Sequence, residues 1–71
     1  MDIVEKSIKL IKFFREGFVY VQKNKEVHYY DITTKKNMFL FNMSQTIVTL
    51  TCDKNFIAAI DKSHKINIFN F

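Results

Sequence analysis

Short apolar runs broken by polar clusters of two to four residues set the pattern of this chain. The runs fall at 7–14 (SIKLIKFF), 18–22 (FVYVQ), 26–32 (EVHYYDI), 37–43 (NMFLFNM), 46–52 (TIVTLTC), 56–60 (FIAAI) and 65–71 (KINIFNF). Each is rich in β-branched and aromatic side chains, which suit a pleated, half-buried surface. The connectors REG, KNK, TTKK, DKN and DKSH have the lengths of hairpin turns. The pattern predicts an all-β fold, an antiparallel meander of seven strands. In the first run, Val4, Ile8, Ile11 and Phe14 also fit one face of a helix.

An internal repeat favours strand there. Residues 7–32 align with residues 46–71, so that Ile8 meets Ile47, Ile11 meets Leu50 and Phe13 meets Cys52. With one residue dropped in the turn, Phe18 meets Phe56, Val19 meets Ile57 and Val21 meets Ala59. With that residue regained, Val27, Tyr29, Tyr30 and Ile32 meet Ile66, Ile68, Phe69 and Phe71. Turns coincide as well, Arg15-Glu16-Gly17 with Asp53-Lys54-Asn55. The chain therefore reads as one unit of two copies, repeat 1 over about 7–43 and repeat 2 over about 46–71. The second copy stops after its third strand, giving the order a-b-c-d-a-b-c. Four strands in about 40 residues is the size of a β-propeller blade.

The runs FVYV, FLF, FIAAI and INIFNF put apolar residues on both faces of a strand. A sheet with one face in water alternates apolar and polar residues instead. A layer inside a stack is apolar on both sides, as these runs are.

The stretch EVHYYDITTKKNMFLFN, with TIVTLTCDKNFIAAIDKSHKINIFNF after it, resembles WD-repeat protein. In that family a third strand ends in an aromatic-acidic pair followed by a short T-x-K turn. Tyr30-Asp31 with Thr33-Thr34-Lys35 is similar, and Phe69-Asn70 stands at the equivalent place in the second copy. The chain has no Trp and no Gly-His pair before its first strand. The family's turn aspartate before strand three has no clear counterpart, Asp61 being near it. These departures bear on the family's side-chain hydrogen bonds and not on the strand count. VHYYDITTKK and IAAIDKSHKINIFNF are also similar to the opening blades of periodic-tryptophan scaffolds of the small-subunit processome. That likeness implies a place in ribosome biogenesis.

Composition narrows the chemistry. With 71 residues and 48% apolar content, the chain is too hydrophobic for a disordered segment. Cys52 is the only cysteine, so no internal disulfide forms, and a reducing, intracellular setting follows, cytoplasmic or nuclear/nucleolar. No apolar run approaches the ~20 residues of a membrane helix. Lys6, Lys9, Lys12 and Glu5 interrupt the N-terminal stretch, unlike a signal peptide. His28, His64 and Cys52 lack the close spacing of metal ligands, and a single glycine leaves no phosphate loop. No catalytic, cofactor or metal site is expected.

The leading expectation is a non-catalytic protein–protein interaction or scaffold module. Its third strand of the second copy is an open edge, so Lys65, Ile66, Ile68, Phe69 and Phe71 are the candidate partner-binding residues. The apolar outer faces predict self-association or docking onto a protein partner that supplies a strand. The net charge of +4 keeps a second class open, a small basic β-domain binding single-stranded RNA. There Tyr29 and Tyr30 would stack on bases beside Lys35 and Lys36.

Overall fold

The computed structural model describes residues 10–71, which form seven strands and no helix. In chain order they are β1 (Ile11–Phe14), β2 (Gly17–Gln22), β3 (Glu26–Asp31), β4 (Lys36–Asn42), β5 (Ile47–Cys52), β6 (Phe56–Asp61) and β7 (Ile66–Asn70). All pairings are antiparallel, in two meanders, a four-stranded sheet A (β1-β2-β3-β4) and a three-stranded sheet B (β5-β6-β7). The division falls where the repeat divides, and neither sheet closes into a barrel. Residues 11–14 are strand, not helix. Residues 7–9 of the predicted first strand, with Val4 and Ile8, lie outside the described residues.

The two sheets share one register at a constant offset of 39. Ile11 pairs with Tyr20 as Leu50 pairs with Ala59, and Phe13 with Phe18 as Cys52 with Ile57. Val21 pairs with Val27 as Ile60 with Ile66, and Gly17 with Asp31 as Phe56 with Asn70. Even the bond from the Ile32 amide to the Glu16 carbonyl (3.0 Å) recurs, as Phe71 to Asn55 (2.8 Å). This corrects the sequence alignment: no residue is dropped in the turn. Phe18 answers Ile57, Val19 answers Ala58 and Val21 answers Ile60. Matching by apolarity alone went astray because Gly17 stands where sheet B has Phe56.

Directly paired residues share a face, so the register also sorts the side chains. Sheet A presents Val19, Val21, Val27 and Tyr29 to sheet B, which answers with Leu50, Ile57 and Ala59. Each large aliphatic chain buried this way contributes about 1.5–3 kcal/mol. Aromatic rings close the seam. Phe14 and Tyr29 meet Phe71 edge-on at 5.0 and 5.2 Å, and Phe41 stacks on Phe69 at 6.1 Å.

The remaining face of each sheet is also apolar. On sheet A it carries Ile11, Phe13, Phe18, Tyr20, His28, Tyr30 and Phe39, with Phe13 86% exposed. On sheet B it carries Phe56, Ala58, Ile60, Ile66 and Ile68, with Ile66 60% and Ile68 57% exposed. The expectation of two-faced layers holds for these residues. Tyr20, Tyr30 and His28 on sheet A and Ala58 on sheet B are nonetheless buried there. Phe18 leans on both tyrosine rings, at 5.9 and 5.5 Å, and His28 stacks on Tyr20 at 5.4 Å.

Gly17 is required by close approach. A Cβ there would lie 1.7 Å from the Tyr30 carbonyl oxygen. The turns rely on side-chain caps and on left-handed residues other than glycine. Asp31 Oδ1 accepts from the Thr33 amide (2.9 Å), the Thr33 hydroxyl (2.6 Å) and the Thr34 amide (3.2 Å). Asp61 does the same work between β6 and β7. Its Oδ1 accepts from the Ser63 amide (2.9 Å), the Ser63 hydroxyl (2.7 Å) and the Lys65 amide (3.0 Å).

Candidate partner-binding edge

Strand β7 pairs with β6 on one side, and among the described residues no strand pairs with its other side. Backbone groups on such an edge are available to a further strand. Sheet B ends here at three strands while sheet A has four, so β4 extends beyond sheet B's cover. Met38, the cross-strand partner of Tyr29, is consequently half exposed on the inward-facing side. A hollow opens at each end of β7. One is lined by Asn42, Met43, Ser44, Lys65, Ile66 and Asn67. The other is lined by Arg15, Glu16, Tyr29, Asp31, Met38 and Phe71. The Phe41–Phe69 contact lies between them. Together they outline a shelf beside β7, floored by β4.

The structure brings the five predicted partner residues together along this strand, with distinct roles. Ile66 and Ile68 point to the outer face of sheet B, where both are exposed. Phe69 points inward and is half-buried against Phe41. Phe71 is wedged against Phe14 and Tyr29, and Lys65 is exposed at the head of the strand. Met38 was not singled out by sequence. Its signal was present in the missing fourth strand of the second copy, which leaves the inner side of β4 uncovered.

Arg15 was missed as well. Its Nε donates to the Lys54 carbonyl (3.2 Å) and its Nη2 to Asn55 Oδ1 (3.4 Å), tying the first turn of sheet A to the first turn of sheet B. Its guanidinium lies 4.8 Å from the Phe71 ring centre and 5.4 Å from that of Phe14. It is the only arginine in the chain, and that was the available clue.

The RNA candidates do not form one platform. Tyr29 and Tyr30 lie on opposite faces of β3, and both are buried, at 5% and 4% exposure. Burial, with Asp31 adding to it, raises the Tyr29 phenol above its usual range. Lys35 sits in the β3–β4 turn with φ of 58°, and Lys36 opens β4 opposite Asp31.

The remaining polar groups serve the fold. His28 Nε2 and Glu26 Oε1 lie 3.1 Å apart, and Asn37 bridges His28 Nδ1 to the Tyr20 hydroxyl, which donates to Asn37 Oδ1 at 2.6 Å. Cys52 packs beside the core, its thiol 3.4 Å from the Phe13 carbonyl, and burial pushes the thiol pKa up. Among the described residues no three His, Cys, Asp or Glu side chains cluster as metal ligands. No described helix is long and apolar enough to cross a membrane.

The fold and the edge together define an all-β chain of two matched sheets with an unpaired strand. No family model matches it, and neither a curated protein nor a solved structure matches it.

Proposed function

We propose that this chain is a non-catalytic interaction module of the WD-repeat scaffold kind that takes up an extended segment of a protein partner along β7. The observation that carries this reading is the shelf: an unpaired strand edge beside an uncovered stretch of β4. Main-chain bonds to β7 would supply affinity, and the two end hollows would read alternate side chains of the guest. The WD-repeat likeness supports it, since its motifs fall at the β3–β4 turn and the end of β7. The narrower likeness makes a ribosome-assembly scaffold the first setting in which to seek the partner.

The chain's own fourth strand is the natural guide to a guest, because it pairs with β3, the counterpart of β7 in sheet A. A peptide of residues 35–43 is therefore the probe. Addition of this peptide should slow hydrogen exchange at the amides of 66–70 while leaving β2 unchanged. No protection at peptide concentrations near 1 mM, a binding energy of only about 4 kcal/mol, overturns the reading.

A further inference from the structure

The two ends of the shelf differ in charge. At the head of β7, Lys65 lines a hollow with Asn42, Met43, Ser44, Ile66 and Asn67. The polar side chains there are one cation and three neutral groups able to donate, with no carboxylate among them. At the same register position sheet A has Glu26, whose carboxylate lies 3.1 Å from His28 Nε2. Sheet B therefore carries a cation where sheet A carries an engaged anion. Among the described residues no carboxylate pairs with the Lys65 ammonium. Asp61, in the same turn, is buried and commits Oδ1 to the Ser63 and Lys65 amides. The charge of Lys65 is the least of the influences that lower its carboxyl. The hollow at the tail is the reverse, with Glu16 and Asp31 beside Arg15. Arg15 Nε and Nη2 are already engaged by the Lys54 carbonyl and Asn55.

The backbone of β7 shows which of its groups face a guest. The Phe71 amide donates to the Asn55 carbonyl (2.8 Å), and the Lys65 carbonyl accepts from the Asp61 amide (3.0 Å). Bonded and non-bonded pairs alternate along an antiparallel ladder. The N–H and C=O groups of Ile66, Ile68 and Asn70 therefore point away from β6.

We infer that the guest of β7 is an extended protein segment that runs antiparallel to it and carries an aspartate or glutamate opposite Lys65, at its C-terminal end. The inference rests on the β7 reading and names the chemistry of the guest. Directly paired residues share a face, so apolar guest residues stand opposite the exposed Ile66 and Ile68. The acid follows one position beyond Ile66. From N- to C-terminus the guest reads apolar, any residue, apolar, acid. Its carboxylate meets the Lys65 ammonium with Asn42 and Ser44 as further donors. The antiparallel direction follows the chain's own rule, since every strand pair in it is antiparallel. An acid at the other end of the guest would lie towards Glu16 and Asp31 and be repelled.

The peptide of residues 35–43 is again the probe, because its Asn42 pairs with Glu26, the counterpart of Lys65. Two variant peptides, Asn42→Asp and Asn42→Lys, change only the charge at that position. Affinities come from NMR titration, and slowed exchange at the amides of 66, 68 and 70 marks binding at the edge. The Asn42→Asp peptide should bind roughly two- to fivefold more tightly than the parent, the range of an exposed ion pair. The Asn42→Lys peptide should bind more weakly by a similar factor, and added salt should narrow both differences. On a Lys65→Glu chain the order of the two variant peptides should reverse. On a Lys65→Gln chain the preference should vanish, and this variant serves if Lys65→Glu lacks a cooperative melt. Equal affinities for the three peptides, with protection at the edge intact, overturn the inference and leave the β7 reading standing. No protection by any peptide overturns both. Protection at 66, 68 and 70 before any peptide is added also overturns the inference. The occupant is then a second copy if that protection grows with protein concentration, and the chain's own residues 1–9 if it does not.

Discussion

Sheets A and B have the same strand register, yet the same position has opposite fates in them. Val27 is fully buried, whereas Ile66, 39 residues on, is mostly in water. Tyr20 fills the outer face of sheet A where sheet B carries Ala59 in the core. Hairpin turns and cross-strand pairs fix where each strand lies, and they are alike in the two sheets. Burial is fixed by what stacks on a face, and among the described residues each sheet has the other sheet on one side only.

The largest break in the comparison is at Gly17. Its counterpart Phe56 shows that the register itself tolerates a side chain at this position. In sheet A, however, the Tyr30 carbonyl comes so close that a Cβ would sit 1.7 Å from it. Backbone cannot yield as a flexible side chain would. Gly17→Ala should cost more than about 2 kcal/mol in thermal or urea unfolding. Phe56→Ala should cost about 1 kcal/mol, since that ring is only partly buried. Equal losses at the two sites would show that sheet A relaxes around a larger residue.

Val27→Ala and Ile66→Ala sharpen the difference in burial. Removing two methyls from the fully buried Val27 should destabilise by about 2 kcal/mol at every protein concentration. Ile66→Ala should stay within about 0.5 kcal/mol in dilute solution. Urea denaturation of the two variants reads this directly, and equal losses would show that Ile66 is packed as closely as Val27.

The strands, their order and the break between the sheets were legible because they rest on local signals, β-branched runs between short polar turns. Two-faced runs such as FIAAI and INIFNF also gave the exposed outer faces in advance. The register was legible only to within a residue. Gly17 opposite Phe56 is a mismatch in apolarity that only the backbone geometry explains. Asp61 was placed near a turn, but not at its centre. Its role depends on three donors meeting one oxygen, from residues two and four positions along, and no propensity encodes that. The β7 edge followed from strand counting. The shelf did not, because it depends on sheet B leaving β4 uncovered, a relation between copies rather than within one.

The smallest effect separates the two turn aspartates and is read in pH. Both carboxyls are held below the usual 3.8, Asp61 by the Ser63 hydroxyl first and Asp31 by the Thr33 hydroxyl first, each with backbone amides adding to it. A carboxylate whose pKa is lower in the folded state stabilises the fold fully above its unfolded value. That contribution fades as pH falls through 3.8 towards the folded value. The protein should therefore lose melting temperature on acidification in that window and not above it. The two residues differ in setting. Asp61 is 1% exposed and its Oδ2 is buried without a partner, whereas Asp31 is partly open to solvent, where water replaces lost bonds. Protonating Asp61 gives up bonds that water cannot reach to replace. Asp61→Ala should thus flatten the acid limb of a melting-temperature profile more than Asp31→Ala does. Ser63→Ala should raise the Asp61 pKa towards 3.8 in a carboxyl NMR titration, narrowing the window without removing the amide bonds. If Asp31→Ala flattens the limb as much as Asp61→Ala, burial does not distinguish the turns, and the second sheet has no special dependence on its cap.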